Sequence, residues 1–381
     1  MDERDTSVVD VEDFKSDPIG YYISEKEDLG RTHSTLNVIS WILEEYDDFV
    51  DGPLSASKTD VIKFTRYIHD SDDFDVNPRV LGDMIREVSN FYNYSKEAGM
   101  VSVNPALFAF RDLEQSSDLI ESGSPDRKNI SMDEMRGFLQ FIDKIKTRTI
   151  ALTFLKTAIR SGELRNLDLC CVHIDHPVYY NLLDEHDVEL LSQVKDKKDS
   201  IYIYPGFNRN TEIYGEVRKD GNKRHAENGT IIPIDKELKT ALIEYILTRK
   251  PTNYGYHTGS RHPFFTKNVI RETNQRHRSD STRELFQYGV LGEFGWWKGE
   301  WDTEEKVTPH YFRHFFTTQH THLEGDYDGH LPTRLIEYIR GDKPDSDRVR
   351  ETVYTHSSWK SWKKQVKEPY LEGVYQFGIY E

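Results

Sequence analysis

The stretch Thr308-Pro309-His310-Tyr311-Phe312-Arg313-His314-Phe315-Phe316 reads as the opening of a helix. Proline suits the first helical turn, where its missing N–H costs no bond, so a helix starting at Pro309 carries His310 and Arg313 on one face, three residues apart. A second pattern of this kind lies upstream. Residues 149–160 (TIALTFLKTAIR) are apolar-periodic and end in Arg160, and Ser161-Gly162-Glu163-Leu164 follows, so Arg160 and Glu163 stand at a helix end beside a turn. Taken singly, such pairs are ordinary surface or capping contacts. Between them, β-branched clusters at 170–174 (CCVHI), 201–204 (IYIY) and 229–234 (GTIIPI) predict a small antiparallel sheet, with 219–224 (KDGNKR) as its clearest turn. Lys219 and Lys223 sit in that turn, where lysines normally serve only solubility. Downstream, a helical pattern over 331–340 (LPTRLIEYIR) runs into Gly341-Asp342. Tyr354 then appears in ETVYTHSSW, two residues before His356, ahead of an aromatic, lysine-rich tail (SSWKSWKKQVKEPY) predicted as helical up to Pro369.

Toward the N-terminus, residues 34–52 place Leu36, Ile39, Leu43, Tyr46 and Val50 at three- and four-residue spacing, a helix ending near Gly52. Similar patterns recur at 61–70 (VIKFTRYIHD) and 78–100 (PRVLGDMIREVSNFYNYSKEAGM), so a small helical bundle is expected over about 31–110. Residues 114–129 (EQSSDLIESGSPDRKN) are polar and without periodicity, which reads as a linker. The expected organisation is an acidic, loosely docked arm over 1–30, a helical domain over 31–124 and a second domain over 125–381. This last opens with the capping box Ser131/Glu134, and after its sheet a further helix is predicted at 236–250 (KELKTALIEYILTRK). Residues 251–308 show no clear pattern, and no internal repeat is present.

At 381 residues, 36% hydrophobic and 12% aromatic, the chain has the composition of a globular two-domain protein. Its two cysteines, the adjacent Cys170 and Cys171, exclude a disulfide framework and a cysteine-based zinc site. They point to a reducing compartment. No apolar run is long enough for a membrane span, and the acidic N-terminus is unlike a signal peptide, so a cytoplasmic protein is expected. His33, His173 and His176 show no metal-ligand spacing joined to carboxylates, so no metal is expected. An adhesion reading of Arg340-Gly341-Asp342 does not suit such a chain.

The net charge of −16 argues at first sight against nucleic acid. Its distribution reverses that. Residues 1–130 hold 28 Asp/Glu against 13 Lys/Arg, and the remaining residues hold 38 against 37. A balanced surface can still carry a basic cleft. The acidic excess itself fits adaptation to high salt, where screening removes self-repulsion. Loss of structure as KCl is lowered is the expected result, and an unchanged melting temperature from about 0.1 to 3 M would sink that reading.

The ordered set, an Arg in RxxEL, a Lys on a turn, an HxxR helix and a Tyr in YTH, resembles the tyrosine recombinase (phage integrase) family across most of the chain. Residues 158–164 (AIRSGEL) are similar to its first arginine box, His310-Tyr311-Phe312-Arg313-His314 to its HxxRH box, and Thr352-Val353-Tyr354-Thr355-His356 to its nucleophile segment with one residue fewer. Val103-Asn104-Pro105 closes a bundle that resembles the family's core-binding domain. The resemblance implies a mainly α fold with a small antiparallel sheet: a helical, SAM-like core-binding domain plus an α+β catalytic domain, together clamping double-stranded DNA. Two departures stand out. The family's third box usually ends in L-G-H, whereas here Asp342 takes the histidine's place, an acid that would repel phosphate unless it faces away and leaves His356, Trp359 or Trp362 to fill the space. The distance from Asp342 to Tyr354 is also longer than usual, so Tyr370 is a rival nucleophile.

The resemblance further implies a site-specific recombinase or integrase that cleaves and rejoins DNA through a 3′-phosphotyrosine, without metal or small-molecule cofactor. Arg160 and Arg313 would neutralise the phosphodiester in the transition state. Tyr354 would attack phosphorus, with His310 assisting its deprotonation. Lys219, or Lys223 as the alternative, would protonate the departing 5′ oxygen from a mobile hairpin. Glu163, Asp342 and His356 would support these groups. A homotetramer on synapsed DNA is implied, with the C-terminal helix docked either on a neighbour or on its own chain. Competing readings are a type IB topoisomerase-like enzyme, a DNA-binding homologue that has lost activity, and an interaction protein whose boxes are incidental.

Overall fold

Apolar periodicity in the first part of the chain becomes a helical bundle, with six α-helices among the described residues. A computed structural model describes residues 11–29, 31, 33–50, 52–71, 73–74, 76–116, 118–121, 128–225, 228–249, 262–267, 276–298, 307–321, 330–342 and 359–380. The chain divides into two compact units, Met1–Pro125 and Asp126–Glu381. In the first, helices α1 (Val11–Ser16), α2 (Pro18–Asp28), α3 (His33–Val50), α4 (Lys58–Asp70), α5 (Pro78–Glu97) and α6 (Pro105–Ser116) enclose one core. Their ends obey local chemistry. Ser57 and Asp60 form a capping box at α4, the Asn77 side chain caps α5, and Gly99, at φ +74°, lets the chain leave α5 in the left-handed region.

Two expectations fail in this unit. Residues 11–28 are two helices rather than a loose arm, because Phe14, Ile19 and Tyr22, scattered among ten charged or serine positions, bury against the bundle. Tyr22 also donates to Glu87 at 3.1 Å. The stretch read as a linker begins inside α6, and Ile120 is still buried in this core, with the Glu121 N–H donating to the Pro78 carbonyl and its carboxylate paired to Arg79 at 3.1 Å. Single apolar anchors within polar runs escape a search for periodicity.

The second unit comprises α7 (Met132–Phe141), α8 (Ile145–Thr157), α9 (Ser161–Arg165), β1 (Val172–His173), α10 (Pro177–Glu185), α11 (Ser192–Lys195), β2 (Ser200–Ile203), β3 (Glu212–Ile213), β4 (Glu216–Val217), β5 (Thr230–Pro233), α12 (Lys236–Thr248), α13 (Ser279–Leu285), α14 (Leu291–Glu293), α15 (Pro309–His320), α16 (Thr333–Arg340), α17 (Trp359–Trp362) and α18 (Glu368–Gly373). The Ser131/Glu134 capping box forms as the sequence predicts. Helix α8 is buried on nearly every face and packs against α12 and α15, with its buried Lys156 paired to Asp235 at 2.7 Å. The three expected strands form an antiparallel sheet in the order β1-β2-β5, with Val172 opposite Ile201 and Ile201 opposite Ile232.

The turn is not where the sequence places it. A separate two-stranded hairpin, β3–β4, turns at Tyr214-Gly215, both with positive φ, the geometry that matches strand twist in a two-residue loop. KDGNKR is instead an anchored loop that pairs back through Asn222 to Phe207.

The tail packs on its own unit. Trp362, Val366, Tyr370, Tyr375 and Phe377 are buried in the main core, and the helical path continues through Pro369 to Gly373. A wide, i to i+5 turn over Lys363–Lys367 leads into Pro369.

Candidate active site

Helix α8 stops because Ala158 adopts φ +49°, which turns the chain so that Arg160 precedes the first turn of α9. Glu163, fully buried, then reaches back to Arg160, accepting from its backbone N–H at 2.9 Å and from its guanidinium at 3.2 Å. The same carboxylate pairs with Arg224 at 3.1 Å, and Arg224 also donates to the Ile339 carbonyl at 2.9 Å. Glu163 is therefore a positioning group with both oxygens committed. Arg224 belongs to the KDGNKR loop, and sequence reasoning did not single it out; its signal was only its place at the end of that loop.

Arg313 comes from the second turn of α15, a helix that opens at Pro309 as read from the sequence. Its side chain is 3% exposed and donates to the carbonyls of Ala158 and Arg340, each at 2.7 Å. Burial first, and Arg160 beside it second, push the Arg313 guanidinium down to about 9, with Asp342 pulling the other way. A buried guanidinium held beside another cation favours an anion in front of it.

That anion is Asp342. One of its carboxylate oxygens takes Arg160 at 3.1 Å and Arg313 as well, and the other faces Arg340 at 2.9 Å. The expectation that Asp342 faces away is overturned. Helix α16 ends at Gly341 with φ +65°, and a Cβ there would stand 2.7 Å from the Arg224 guanidinium, so only glycine permits both the turn and the close approach. The backbone amides of Gly341 and Asp342 both donate to the Glu337 carbonyl, which fixes the side chain's point of departure beside the arginines. Trp362 does not fill this space either: its indole donates to Ile231 on β5 at 3.1 Å.

The lysine loop lies next to this cluster. Arg160 donates to the Lys223 carbonyl at 2.8 Å, and a Cβ on Gly162 would stand 2.9 Å from the Gly221 carbonyl, so α9 and the loop are in contact. Lys219 and Lys223 are both exposed. The loop is clamped on both sides of Lys219, in place of the expected mobile hairpin. On one side Arg218 is buried against Asp168; on the other Asp220 accepts two bonds from Arg165, at 2.7 and 2.8 Å. His310 is exposed at the start of α15, one turn before Arg313.

Tyr370 is fully buried and donates to the Lys156 carbonyl at 2.8 Å, and burial pushes its phenol well above the usual range. A phosphodiester could reach it only if the tail unpacked. Tyr354, His356 and the side chain of Trp359 lie outside the described residues. For metal binding, Asp168, Cys170 and Cys171 bring ligand atoms within 4.8 Å of one another among the described residues. Arg218, Arg276 and Tyr204 already occupy the Asp168 oxygens, and burial raises the Cys171 thiol, so this trio is committed to the arginine network rather than shaped for a metal.

No protein-family profile and no curated protein sequence matches the chain. Solved structures do. The Tn1549 transposon integrase in complex with a circular intermediate DNA superposes with a TM-score of 0.58 at 16% identity, covering 91% of this chain and 98% of that one. A second such complex gives 0.55 at 16% identity, over 90% and 96%. The same integrase with transposon right end DNA gives 0.55 at 14% identity, over 91% and 97%. Among the described residues no helix is long and apolar enough to cross a membrane. With its helical first unit and its small antiparallel sheet, the chain has the two-domain fold of the tyrosine recombinases.

Proposed function

We propose that this chain is a site-specific DNA recombinase that breaks and rejoins DNA through a 3′-phosphotyrosine. One observation carries the reading: Arg160 and Arg313, from separate elements, converge on a single carboxylate inside a fold that other proteins use for DNA integration. Two forked guanidiniums directed at one small anion are suited to the two non-bridging oxygens of a phosphodiester. They would stabilise the charge that builds there as phosphorus becomes five-coordinate, which is the part metal ions play in many other nucleases.

In this mechanism the Tyr354 phenolate attacks phosphorus, the bond to the 5′ oxygen breaks, and the phenol's proton passes to a base, for which exposed His310 is the candidate. Lys219, or Lys223, gives a proton to the departing 5′ oxygen. Glu163 orients Arg160 without reacting. Because the phosphotyrosine conserves the bond, a 5′ hydroxyl from a second duplex reverses the step without nucleotide or metal. A homotetramer on synapsed double-stranded DNA, in the cell's interior, fits this chemistry.

A second reading has one observation in its favour. Asp342, standing where a phosphate would bind, fits a DNA-binding homologue that no longer cleaves. Trapping decides between them: nicked DNA carrying the ends of the protein's own element is incubated in low and molar KCl, then denatured with SDS. A protein–DNA adduct lost in Tyr354→Phe and kept in Tyr370→Phe is the expected result. Binding without any adduct would favour the inactive homologue.

A further inference from the structure

We infer that Asp342 is a positioning residue that holds the place of the scissile phosphate: its carboxylate assembles the arginine cradle before DNA arrives and is displaced by the phosphodiester. The inference rests on the recombinase reading for the identity of the displacing anion, but on the cradle's geometry for everything else. A carboxylate presents two oxygens from one carbon, much as a phosphodiester presents two non-bridging oxygens from one phosphorus. Here those oxygens are met by Arg160, Arg313 and Arg340, from three different parts of the second unit. Arg313 is nearly sealed from water, so without a counter-anion it would sit buried beside Arg160 with like charge against it. Asp342 supplies that anion when no DNA is present.

The seat is built for exchange. The Asp342 side chain is 28% exposed and Arg160 24%, so a solvent-borne anion has access. The backbone at Gly341-Asp342 is pinned to Glu337, and the Gly341 carbonyl accepts from the His225 amide, so the carboxylate leaves by rotating its side chain. Arg340 already stands 2.9 Å from the second oxygen and keeps a cation beside the displaced carboxylate. Arg160 also keeps its bonds to Glu163 and the Lys223 carbonyl, and Arg313 its bonds to the Ala158 and Arg340 carbonyls, through the exchange, so these two arms of the cradle keep their shape. In place of a histidine that would donate to the phosphate, this chain has a competitor for its seat.

The test titrates inorganic phosphate into the full chain, read by phosphorus NMR line broadening, for wild type, Asp342→Asn, Asp342→Ala and Arg160→Ala. Removing the internal competitor should tighten phosphate binding by about tenfold in both Asp342 variants, while Arg160→Ala should abolish it. Asp342→Asn is nearly isosteric, and a melting curve for each variant shows that it is folded. Unchanged or weaker binding in folded Asp342→Asn, or no phosphate binding by any form, overturns the inference. The SDS trap is scored separately. Adducts in wild type with unaltered phosphate affinity in Asp342→Asn would sink the seat and spare the recombinase; tightened phosphate binding without adducts would do the reverse.

Discussion

Two arginine–carboxylate assemblies lie in the second unit, and they differ in one respect. Around Asp168, Arg218 donates at 2.7 and 3.1 Å, Arg276 at 2.5 Å and the Tyr204 hydroxyl at 2.8 Å, with Asp168 and Arg218 wholly buried. Around Asp342 the carboxylate and two of its three arginines are partly exposed. In the first, the carboxylate's acceptor positions are filled from fixed elements and no outside anion could enter without leaving buried charge unpaired. In the second, the acid is the last residue of a turn, and its place can be taken. Closed ion networks hold elements in register; an open one of the same chemistry is where a phosphate can bind. The closed network serves the open one, since Arg218 and Asp220 bracket Lys219 and fix the loop that touches Arg160.

Breaking the closed network should have the largest effect. Asp168→Ala strands Arg218 and Arg276 without their carboxylate and should cost about 3–5 kcal/mol in denaturant unfolding. A loss under about 1 kcal/mol would mean that Glu216 alone compensates both arginines. Next comes Arg160→Ala in the open cluster. It should lower adduct formation by about 10²–10³-fold, yet change stability by only about 1 kcal/mol because its side chain is partly in water. Equal effects on folding and adduct yield would erase the distinction between the two assemblies.

The closed side also carries buried histidines. Burial pushes His262 down to about 4 and His277, next to Arg276, down to about 3, each first through desolvation and then through neighbouring cations or His186. Both bind a proton more readily unfolded, at about 6.5. Between those values the unfolded state holds more protons, so their contribution is complete above about 6.5 and is lost as pH falls toward the folded values. The unfolding midpoint should therefore drop from pH 7 to pH 4.5, and a His277→Gln variant should flatten that slope. The smallest effect is expected from Tyr370→Phe. Loss of its bond to the Lys156 carbonyl should cost about 1 kcal/mol and leave adduct yield unchanged; loss of the adduct would make Tyr370 the nucleophile after all.

Much of this was legible in the sequence. Helices α3, α4, α5, α7, α12, α15 and α16 follow from three- and four-residue spacing and from capping residues, and the three-stranded sheet from its β-branched clusters, because these signals act within a few residues of one another. The pairs Arg160/Glu163 and His310/Arg313 were legible for the same reason. Helices α1 and α2 were not, because their stability comes from single side chains docking on distant elements. The hairpin tip at Tyr214-Gly215 was hidden by the stronger turn signal of KDGNKR, which tertiary ion pairs hold as a clamped loop.

By itself, then, the sequence determined the helical bundle, the sheet and the ordered boxes that resemble a recombinase, since local periodicity and residue spacing are properties of the chain. Only the tertiary structure decided that Asp342 turns toward Arg160 and Arg313, that Arg224 shares Glu163 with Arg160, and that Tyr370 is sealed in the core. Those facts depend on groups 29 to 214 residues apart meeting in a low-dielectric interior, where each buried charge must find a partner and the partner is chosen by the fold.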